Sequence, residues 1–424
     1  MKPTRTHKWN RLDNAAKIFP PTSTKRDTKV FRFACELTEE VDGALLQQAL
    51  DQTMEVFPFY RSVLKRGLFW YYLEECDFPV LAHEENTPPC SAIYDRNVRT
   101  LLFEVTWFHK RINLDIYHAL SDGTGALHFL RVLTYHYLLL RHSSSFLKPP
   151  AIDYDASMTQ KMDDSFQKYY DKKNGKKVKS GRTVHAYHFH GAKMAENRIR
   201  LIEGVMPVKA VMEQAHAYHA TLTSFTTAIL MCAIRDTMPL RELKHPVVIT
   251  VPVNMRKYFS SESARNFFTV FEVPYDFQKQ SGERSDVITY VTDYFKRELT
   301  LERMGPRMNK LAALEHNIFA RAVPRTIKDI ALKAGNRFNE MEITAALSNV
   351  GKVDMPPEFS RYIDRFDVFV STKRMQICMC SYGEKLSLSF TSAFECSEVQ
   401  KNFFRTLTKM GIPVTIMTNP TDEA

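Results

Sequence analysis

The amino-acid sequence predicts two mixed α/β domains whose sheets are mainly antiparallel. At 424 residues, the chain exceeds the length at which one hydrophobic core normally keeps growing. Strand-like and helix-like runs alternate in both halves, and a polar stretch from 142 to 193 separates the halves. Sheets covered by helices bury such a pattern well. We therefore expect an N-terminal domain over 1–180, which ends in this linker, and a C-terminal domain over 181–424.

In the first half, apolar periodicity and runs of β-branched or aromatic residues define the elements. The predicted elements are a strand at 29–37, a helix at 41–57, strands at 59–66 and 68–75, strands at 101–109 and 112–117, and a helix at 125–140. His118 therefore stands at a strand end, just before a turn and a helix. At such a position an imidazole can face a cleft at the edge of a sheet.

The second half repeats this alternation of strands and helices. The predicted strands are 198–207, 245–253, 267–275, 343–347, 365–370, 375–381 and 386–390, and the predicted helices are 208–218, 221–238, 286–301, 309–334 and 399–409. Leu222, Thr223 and Ser224 are expected to cap the second of these helices. The linker is predicted to be partly helical around 163–170.

Composition is that of a globular protein, with 44% apolar and 25% charged residues. The longest apolar run, 225–234, has about half the length that a membrane-spanning helix needs, so no transmembrane segment is predicted. The N-terminus lacks the apolar region of a secretory signal. Seven scattered cysteines without C-x-x-C spacing indicate reduced thiols. These observations predict a cytoplasmic protein.

The net charge of +10 is partly local, because Lys172, Lys173, Lys176, Lys177, Lys179 and Arg182 lie in the linker. A basic segment of this kind attracts an anionic partner, such as the phosphates of coenzyme A, nucleic acid or a membrane surface. A solvated linker is the simpler interpretation. Nucleic-acid binding is not predicted, since only Tyr169 and Tyr170 flank the lysines.

The strongest functional signal is the motif His118-x-x-x-Asp122-Gly123. A histidine with a pKa near 6.5 can accept a proton from a hydroxyl or an amine at neutral pH. Asp122 lies close enough in sequence to hold the imidazole or its backbone, and Gly123 leaves the approach to the ring open. The alternative is a buried histidine beside an Asp that caps a helix, because Asp-Gly is a common turn dipeptide.

The motif, in its place between a strand and a helix, resembles the active-site motif of the chloramphenicol acetyltransferase-like superfamily. This superfamily includes alcohol acyltransferases, the plant BAHD acyltransferases and the condensation domains of peptide synthetases. Three further segments agree with the resemblance. They are Asn254-Met255-Arg256 at a strand end, which is similar to a V-N-x-R motif, Ser348-Asn349-Val350-Gly351, which is similar to an S/T-N-x-G turn, and the opening segment 9–20.

The resemblance implies two subdomains packed face to face, with the histidine midway along a tunnel between them. It implies that His118 is a general base and that Asp122 is structural, in an ion pair with Arg256. Ser348 and Asn349 become candidates for oxyanion stabilisation or substrate orientation. The implied donor is an acyl-CoA, which acts as a co-substrate, and the acceptor is a small molecule with a hydroxyl or amine group.

Two departures narrow the resemblance. Tyr117 stands where condensation domains usually carry a first histidine, and the D-F-G-W-G motif of the plant enzymes is absent. The sequence therefore predicts a stand-alone acyltransferase, closer to the bacterial and fungal alcohol acyltransferases. Two alternatives stay open: an enzyme that takes its acyl group from an acyl carrier protein, and a non-catalytic relative that binds a small molecule.

Neither a metal site nor a covalent acyl-enzyme is predicted. The histidines at 185, 188 and 190 lack a carboxylate or cysteine at matching spacing, so metal binding is not expected. The chain has no G-x-S-x-G nucleophile motif. A thioester already carries a competent leaving group, so one base and some stabilisation of the oxyanion are enough for direct transfer.

Overall fold

The computed structural model describes residues 9–152, 164–170, 185–316 and 322–419, without the side chains of 310–316. The basic cluster of the linker, 172–182, lies outside these residues. Two large sheets and one small sheet form the framework, each large sheet with its own hydrophobic core. The mixed α/β architecture agrees with the prediction from the sequence.

The first large sheet has five strands in the order β12-β2-β7-β6-β5. Its strands are β2 (Val30–Leu37), β5 (Ala82–Glu84), β6 (Phe103–Phe108), β7 (Arg111–Tyr117) and β12 (Ile363–Val370). All neighbours are antiparallel except β5 and β6. A small antiparallel sheet contains β1 (Trp9–Arg11), β4 (Tyr71–Glu75) and β3 (Ser62–Arg66).

Helices of the first half are α1 (Phe19–Thr22), α2 (Gly43–Val56), α3 (Gly123–Arg141) and α4 (Ser165–Lys168). Asp42 caps α2 by accepting the backbone N–H groups of Ala44 and Leu45. Helix α3 begins directly after the turn that follows β7, as the sequence predicted, and it packs against α2 and the first sheet. This packing fixes the turn that carries the His118 motif.

The second large sheet has seven strands in the order β10-β9-β11-β13-β14-β8-β15. Its strands are β8 (Arg200–Pro207), β9 (Val247–Asn254), β10 (Phe268–Tyr275), β11 (Ala345–Lys352), β13 (Met375–Tyr382), β14 (Lys385–Ser392) and β15 (Thr415–Thr418). Strand β11 runs parallel to β9 and β13, and the other pairs are antiparallel. The prediction of mainly antiparallel sheets is confirmed.

Helices of the second half are α5 (Val208–Ala217), α6 (Leu222–Arg235), α7 (Arg284–Glu298), α8 (Leu301–His316), α9 (Arg325–Met341) and α10 (Glu398–Lys409). The single helix predicted over 309–334 is wrong, because α9 starts anew after Pro324. A proline has no backbone N–H to donate, and it disfavours the α conformation at the residue before it. A helix therefore seldom continues through a proline.

Strand β12 comes from the second half of the sequence but pairs with β2 at the edge of the first sheet. It also packs against β13 and β14 of the second sheet. The sequence did not predict this pairing, because a strand pattern does not specify the partner of the strand. A strand from the second half of the chain thus completes the first sheet and contacts the second sheet.

No single described helix is long and apolar enough to cross a membrane. Helices α5 and α6 reach that length and apolarity only together, and their axes differ by 81°.

Candidate functional site

His118 follows the last residue of β7, and its backbone N–H donates to the carbonyl of Lys29 at 2.8 Å. The imidazole stacks on Phe19, with ring centroids 4.5 Å apart, and meets the edge of Phe31 at 4.8 Å. These apolar rings leave the charged form poorly solvated, so burial lowers the pKa of His118 below its usual 6.5. The neutral imidazole is therefore the dominant form near pH 7.

Asn266 fixes the tautomer of this imidazole. Its Nδ2 donates to the backbone carbonyl of His118 at 3.1 Å and to Oδ2 of Asp13 at 3.2 Å. The amide oxygen must then face Nδ1 of His118, at 3.0 Å, and it can only accept a proton there. Nδ1 consequently carries the hydrogen, and Nε2 keeps the lone pair that a general base needs.

Asp13 supports Asn266 from the N-terminal segment 9–20, one of the segments that carry the resemblance. Its Oδ2 also accepts the backbone N–H of Asn266 at 3.3 Å, and its Oδ1 accepts that of Ala16 at 2.8 Å. Burial raises the pKa of Asp13 to about 6, against the nearby charge of Arg265. Segments 253 residues apart in sequence thus meet behind one imidazole, an arrangement that no local motif signals.

Asp122 forms the predicted ion pair with Arg256, Nη1 to Oδ2 at 2.8 Å, with both side chains largely buried. The same carboxylate caps α3, because its Oδ1 accepts the backbone N–H groups of Thr124 and Gly125 at 3.1 and 3.0 Å. Its Oδ2 also accepts the N–H of Phe267 at 2.8 Å. Asp122 therefore both caps α3 and forms the ion pair that the resemblance implied, although the sequence presented these roles as alternatives.

Arg256 has no donor left for a substrate anion. Besides Asp122, its guanidinium donates to the carbonyls of Ser263 and Arg265, at 2.7 and 2.6 Å from Nη2, and to Oδ1 of Asn254. The Nδ2 of Asn254 donates in turn to the hydroxyl of Thr124 at 3.0 Å. This network joins the end of β9 to the start of α3 and fixes the position of the His118 turn.

Two glycines at the start of α3 have different roles. A Cβ added at Gly123 would meet nothing nearer than the Phe33 ring at 3.9 Å, so this position is open toward a cavity. A Cβ at Gly125 would lie 2.0 Å from the carbonyl oxygen of Ala264 and 2.3 Å from Oγ of Ser121. Only glycine fits this close approach of the two subdomains. Gly123 belongs to the predicted motif, whereas no local pattern in the sequence singled out Gly125.

A cavity of about 400 Å³ lies between the two large sheets, in front of His118. Five predicted site residues line it: His118, Asp122, Gly123, Ser348 and Asn349. Most of the other lining residues are apolar, and they include Phe31, Phe33, Val251, Val253, Phe268, Phe271, Phe295, Val368 and Val370. The polar lining residues include Lys257, Thr223 and Gln376, so the cavity suits a ligand with an apolar body and some polar groups.

The prediction of a turn at Ser348–Gly351 is wrong, because these residues lie within strand β11. The strand has a register shift against β13 between Asn349 and Gly351, and Gly351 has a φ of +97°. The Gly351 N–H donates to Oδ1 of Asn349 at 2.9 Å. A β-bulge, which uses the same residue types as a turn, bends the strand here and turns Asn349 toward the cavity.

Asn349 and Thr223 form a polar pair on the cavity wall. Nδ2 of Asn349 donates to Oγ1 of Thr223 at 2.8 Å, and both residues line the cavity. The predicted capping role of 222–224 is only partly right, since Thr221 is the N-cap of α6 and Ser224 completes its capping box. Thr223 therefore serves the cavity wall. Its hydroxyl accepts from Asn349 and keeps its own hydrogen for donation.

Cys378 is the cysteine that lines the cavity, and it is not a nucleophile at neutral pH. Burial raises the pKa of its thiol to about 12, so the reactive thiolate is scarce. All seven cysteines are free thiols.

Among the described residues, no group of three or more His, Cys, Asp or Glu side chains could hold a metal ion. The His188 ring, from the histidine-rich segment, bonds instead to the carbonyl of Met341.

Comparison with known proteins gives structural matches only. No protein-family model matches the sequence, and no curated protein matches it. TRI101 of F. graminearum, solved with coenzyme A and deoxynivalenol, is 11% identical with a TM-score of 0.64, over 96% of this chain and 99% of that chain. The TRI3 trichothecene 15-O-acetyltransferase of Fusarium sporotrichioides is 11% identical with a TM-score of 0.60, over 95% and 94%.

The first condensation domain of the CDA synthetase is 16% identical, with a TM-score of 0.61 over 95% of this chain and 96% of that chain. At such low identities the likeness establishes the fold alone. The chain has the two-subdomain chloramphenicol acetyltransferase-like fold, as the resemblance of its motifs predicted.

Proposed function

Starting from this fold, we propose that the chain is an acyltransferase that moves an acyl group from a coenzyme A thioester to a hydroxyl or amine acceptor. The observation that carries the proposal is His118, a neutral imidazole with its Nδ1 held by Asn266 and its ring on the wall of the cavity between the sheets. This geometry leaves Nε2 as a base in a mainly apolar site.

The reaction proceeds by direct attack. Nε2 of His118 takes the proton of the acceptor as the acceptor's oxygen or nitrogen forms a bond to the thioester carbonyl carbon. The carbon–sulfur bond then breaks, the carbonyl re-forms, and the imidazolium returns the proton to the departing thiolate. The products are an ester or amide and a free thiol, and the imidazole is regenerated.

No covalent acyl-enzyme is needed. The cysteine on the cavity wall, Cys378, is held in its thiol form by its raised pKa, and the chain lacks a serine nucleophile motif. Oxyanion stabilisation falls to polar groups of the wall, for which Thr223, Ser348 and Asn349 are the candidates. Asp122 and Arg256 position the His118 turn, because their hydrogen-bonding groups are engaged within the protein.

An acyl-CoA thioester is the proposed donor, and no prosthetic group is required. A structure with the same fold, TRI101, was solved with coenzyme A, which makes a coenzyme A thioester the first donor to test. An acyl carrier protein that presents the same thioester is the alternative, since a condensation domain shares the fold equally well. We also propose a cytoplasmic location, where both donors are made, with a small molecule as acceptor and no nucleic-acid partner.

The proposal is tested by following thiol release from acyl-CoA thioesters of increasing chain length, with a panel of alcohols and amines. We expect release that depends on the acceptor and falls by at least about a hundredfold in His118→Ala, as expected for loss of a general base. His109→Ala, at an exposed histidine on the β6–β7 turn, is the matched control. Full activity in His118→Ala would refute the mechanism.

If thiol is released only from an acylated carrier protein, the carrier protein and not acyl-CoA is the donor. If the wild-type protein binds donor or acceptor but never releases thiol with any pair, the chain is a binding protein that keeps the fold.

A further inference from the structure

A second cavity, of about 350 Å³, opens where β13 begins and β14 ends. We call it the cationic pocket. Its chemically important lining residues are His188, His190, Lys193, Lys373, Arg374 and Phe394. Lys193 lies over the ring of the largely buried Phe394, 5.6 Å from the centroid, so one wall is both apolar and fixed.

Positive charge in the cationic pocket is only partly neutralised. Lys373 pairs with Glu340, Nζ to Oε1 at 2.5 Å. Among the described residues, no carboxylate lies within ion-pair distance of Lys193 or Arg374, although Glu340 acts on Arg374 through its charge and Nη1 of Arg374 donates to the carbonyl of Ile343. The pKa of Lys193 is lowered, first by burial and then by the positive charges of Arg26, Lys373 and Arg374. Three mutually repelling cations beside one carboxylate form a site that an anion would stabilise.

The cationic pocket lies within reach of His118. Ser371, just after β12, donates its N–H to the carbonyl of Val30 at 2.8 Å, and Val30 pairs with Tyr117. Ser371 is thus two strands from the end of β7, or about 10 Å. Lys373 and Arg374 lie two and three residues further, which adds at most about 10 Å. The backbone of Lys373 and Arg374 therefore lies within roughly 20 Å of His118.

One segment connects the pocket to the catalytic cavity. Val370 and Gln376 line the cavity in front of His118, and Lys373 and Arg374, between them in sequence, line the cationic pocket. The same segment thus borders both cavities, and a ligand that reacts at His118 and follows this segment would place an anionic end among the cations. An extended pantetheine arm, which joins a thioester sulfur to a phosphate, has a length in this range.

We propose that the cationic pocket binds the phosphate at the end of the acyl donor's pantetheine arm. This inference rests on the proposed function, and the chemistry is shared by coenzyme A and by the phosphopantetheine of a carrier protein. Lys193 and Lys373 supply point charges, and Arg374 adds the planar guanidinium that suits phosphate oxygens. Glu340 opposes phosphate binding, so its removal acts in the opposite direction to removal of the lysines.

The test is calorimetric titration of coenzyme A, 4′-phosphopantetheine and unphosphorylated pantetheine into the wild-type protein and three variants. The variants are the double substitution Lys193→Gln with Lys373→Gln, the single substitution Glu340→Gln, and the control Lys209→Gln. Lys209 is an exposed lysine at the start of α5 and does not line either cavity. Thermal melting of each variant verifies folding.

We expect the double lysine variant to bind coenzyme A and phosphopantetheine about tenfold more weakly, the loss expected for two partly exposed charge contacts. Its affinity for pantetheine should not change. Glu340→Gln should bind both phosphorylated ligands more tightly, and Lys209→Gln should match the wild type. Titration with a phosphopantetheinylated carrier protein identifies which donor supplies the phosphate. The ligand that binds more tightly, the carrier protein or coenzyme A, indicates the natural donor.

Unchanged affinity of the double lysine variant for coenzyme A would overturn the proposal, as would equal binding of pantetheine and coenzyme A by the wild type. Thiol release separates this failure from failure of the proposed function. Turnover that requires His118 but has an unchanged KM for the donor in the double lysine variant refutes only the pocket. Lysine-dependent binding without acyl transfer to any acceptor refutes only the acyltransferase assignment.

Discussion

His118 and Asn266 are joined by two hydrogen bonds across the two halves of the chain. Nδ1 of the histidine donates to the amide oxygen at 3.0 Å, and the amide nitrogen donates to the histidine's own carbonyl at 3.1 Å. One side chain therefore holds both the ring and the backbone of the proposed general base. Asp13 holds the amide in turn, which prevents it from reversing its oxygen and nitrogen.

Asn266→Ala should lower kcat by about ten- to a hundredfold, since a lost hydrogen bond to a group that becomes charged is worth about 1.5–3 kcal/mol. KM for donor and acceptor should change little, because Asn266 does not line the cavity. Steady-state kinetics, with a melting curve to verify folding, measure both. A residue that served only stability would lower the melting temperature and leave kcat intact, which would contradict the positioning role.

The pH dependence of kcat/KM should have its acidic limb below 6.5. Burial lowers the pKa of His118 from that value, so the free base persists to a lower pH than for an exposed histidine. Activity should be flat through neutrality and fall only as the pH drops through the lowered pKa. A pH–rate profile from 4.5 to 8.5 measures the limb, and a midpoint above 6.5 would contradict the protonation state assigned here.

The sequence predicted the position of His118 and the ion pair beside it but not the network that orients them. His118, Asp122 and Arg256 stand in short motifs whose spacing reflects local strand and turn geometry. Asn266 and Asp13 carry no such spacing, and their positions depend on how two halves of the chain pack. The same reason explains β12, whose strand pattern was evident, although its pairing with the first sheet depends on tertiary structure.

Gly123→Ala and Gly125→Ala should separate substrate access from packing. An alanine at 125 would lie 2.0 Å from the Ala264 carbonyl oxygen, so the two subdomains must shift, and we expect a stability loss of about 1–3 kcal/mol. An alanine at 123 meets only Phe33 at ordinary contact distance, so stability should change by less than about 1 kcal/mol.

The effect of Gly123→Ala should appear in substrate binding and not in stability. The new methyl group of Gly123→Ala points into the cavity beside His118, so KM for the acceptor should rise although the fold is intact. Urea denaturation and acceptor-dependent kinetics measure the two effects. Equal stability losses in both variants would contradict the distinction.

Glu203 and Asp367 place two carboxyl groups in the interior between the sheets, on β8 and β12. Burial, and then the charge of Asp367, raises the pKa of Glu203 well above 4.5. Between 4.5 and the raised pKa, the folded protein holds a proton that the unfolded chain has lost, so stability must fall as pH rises through this window. Glu203→Gln keeps a neutral side chain throughout and removes this dependence.

The free energy of unfolding of Glu203→Gln, relative to the wild type, should therefore rise by about 1.4 kcal/mol for each pH unit in this window. Urea denaturation at pH 5, 6, 7 and 8 measures this difference. Glu213→Gln, at an exposed glutamate on α5, is the matched control and should run parallel to the wild type. If the Glu203→Gln curve is also parallel to the wild type, Glu203 is ionised in the fold and its charge is balanced by Arg111 and Arg365, the cations beside this carboxyl pair.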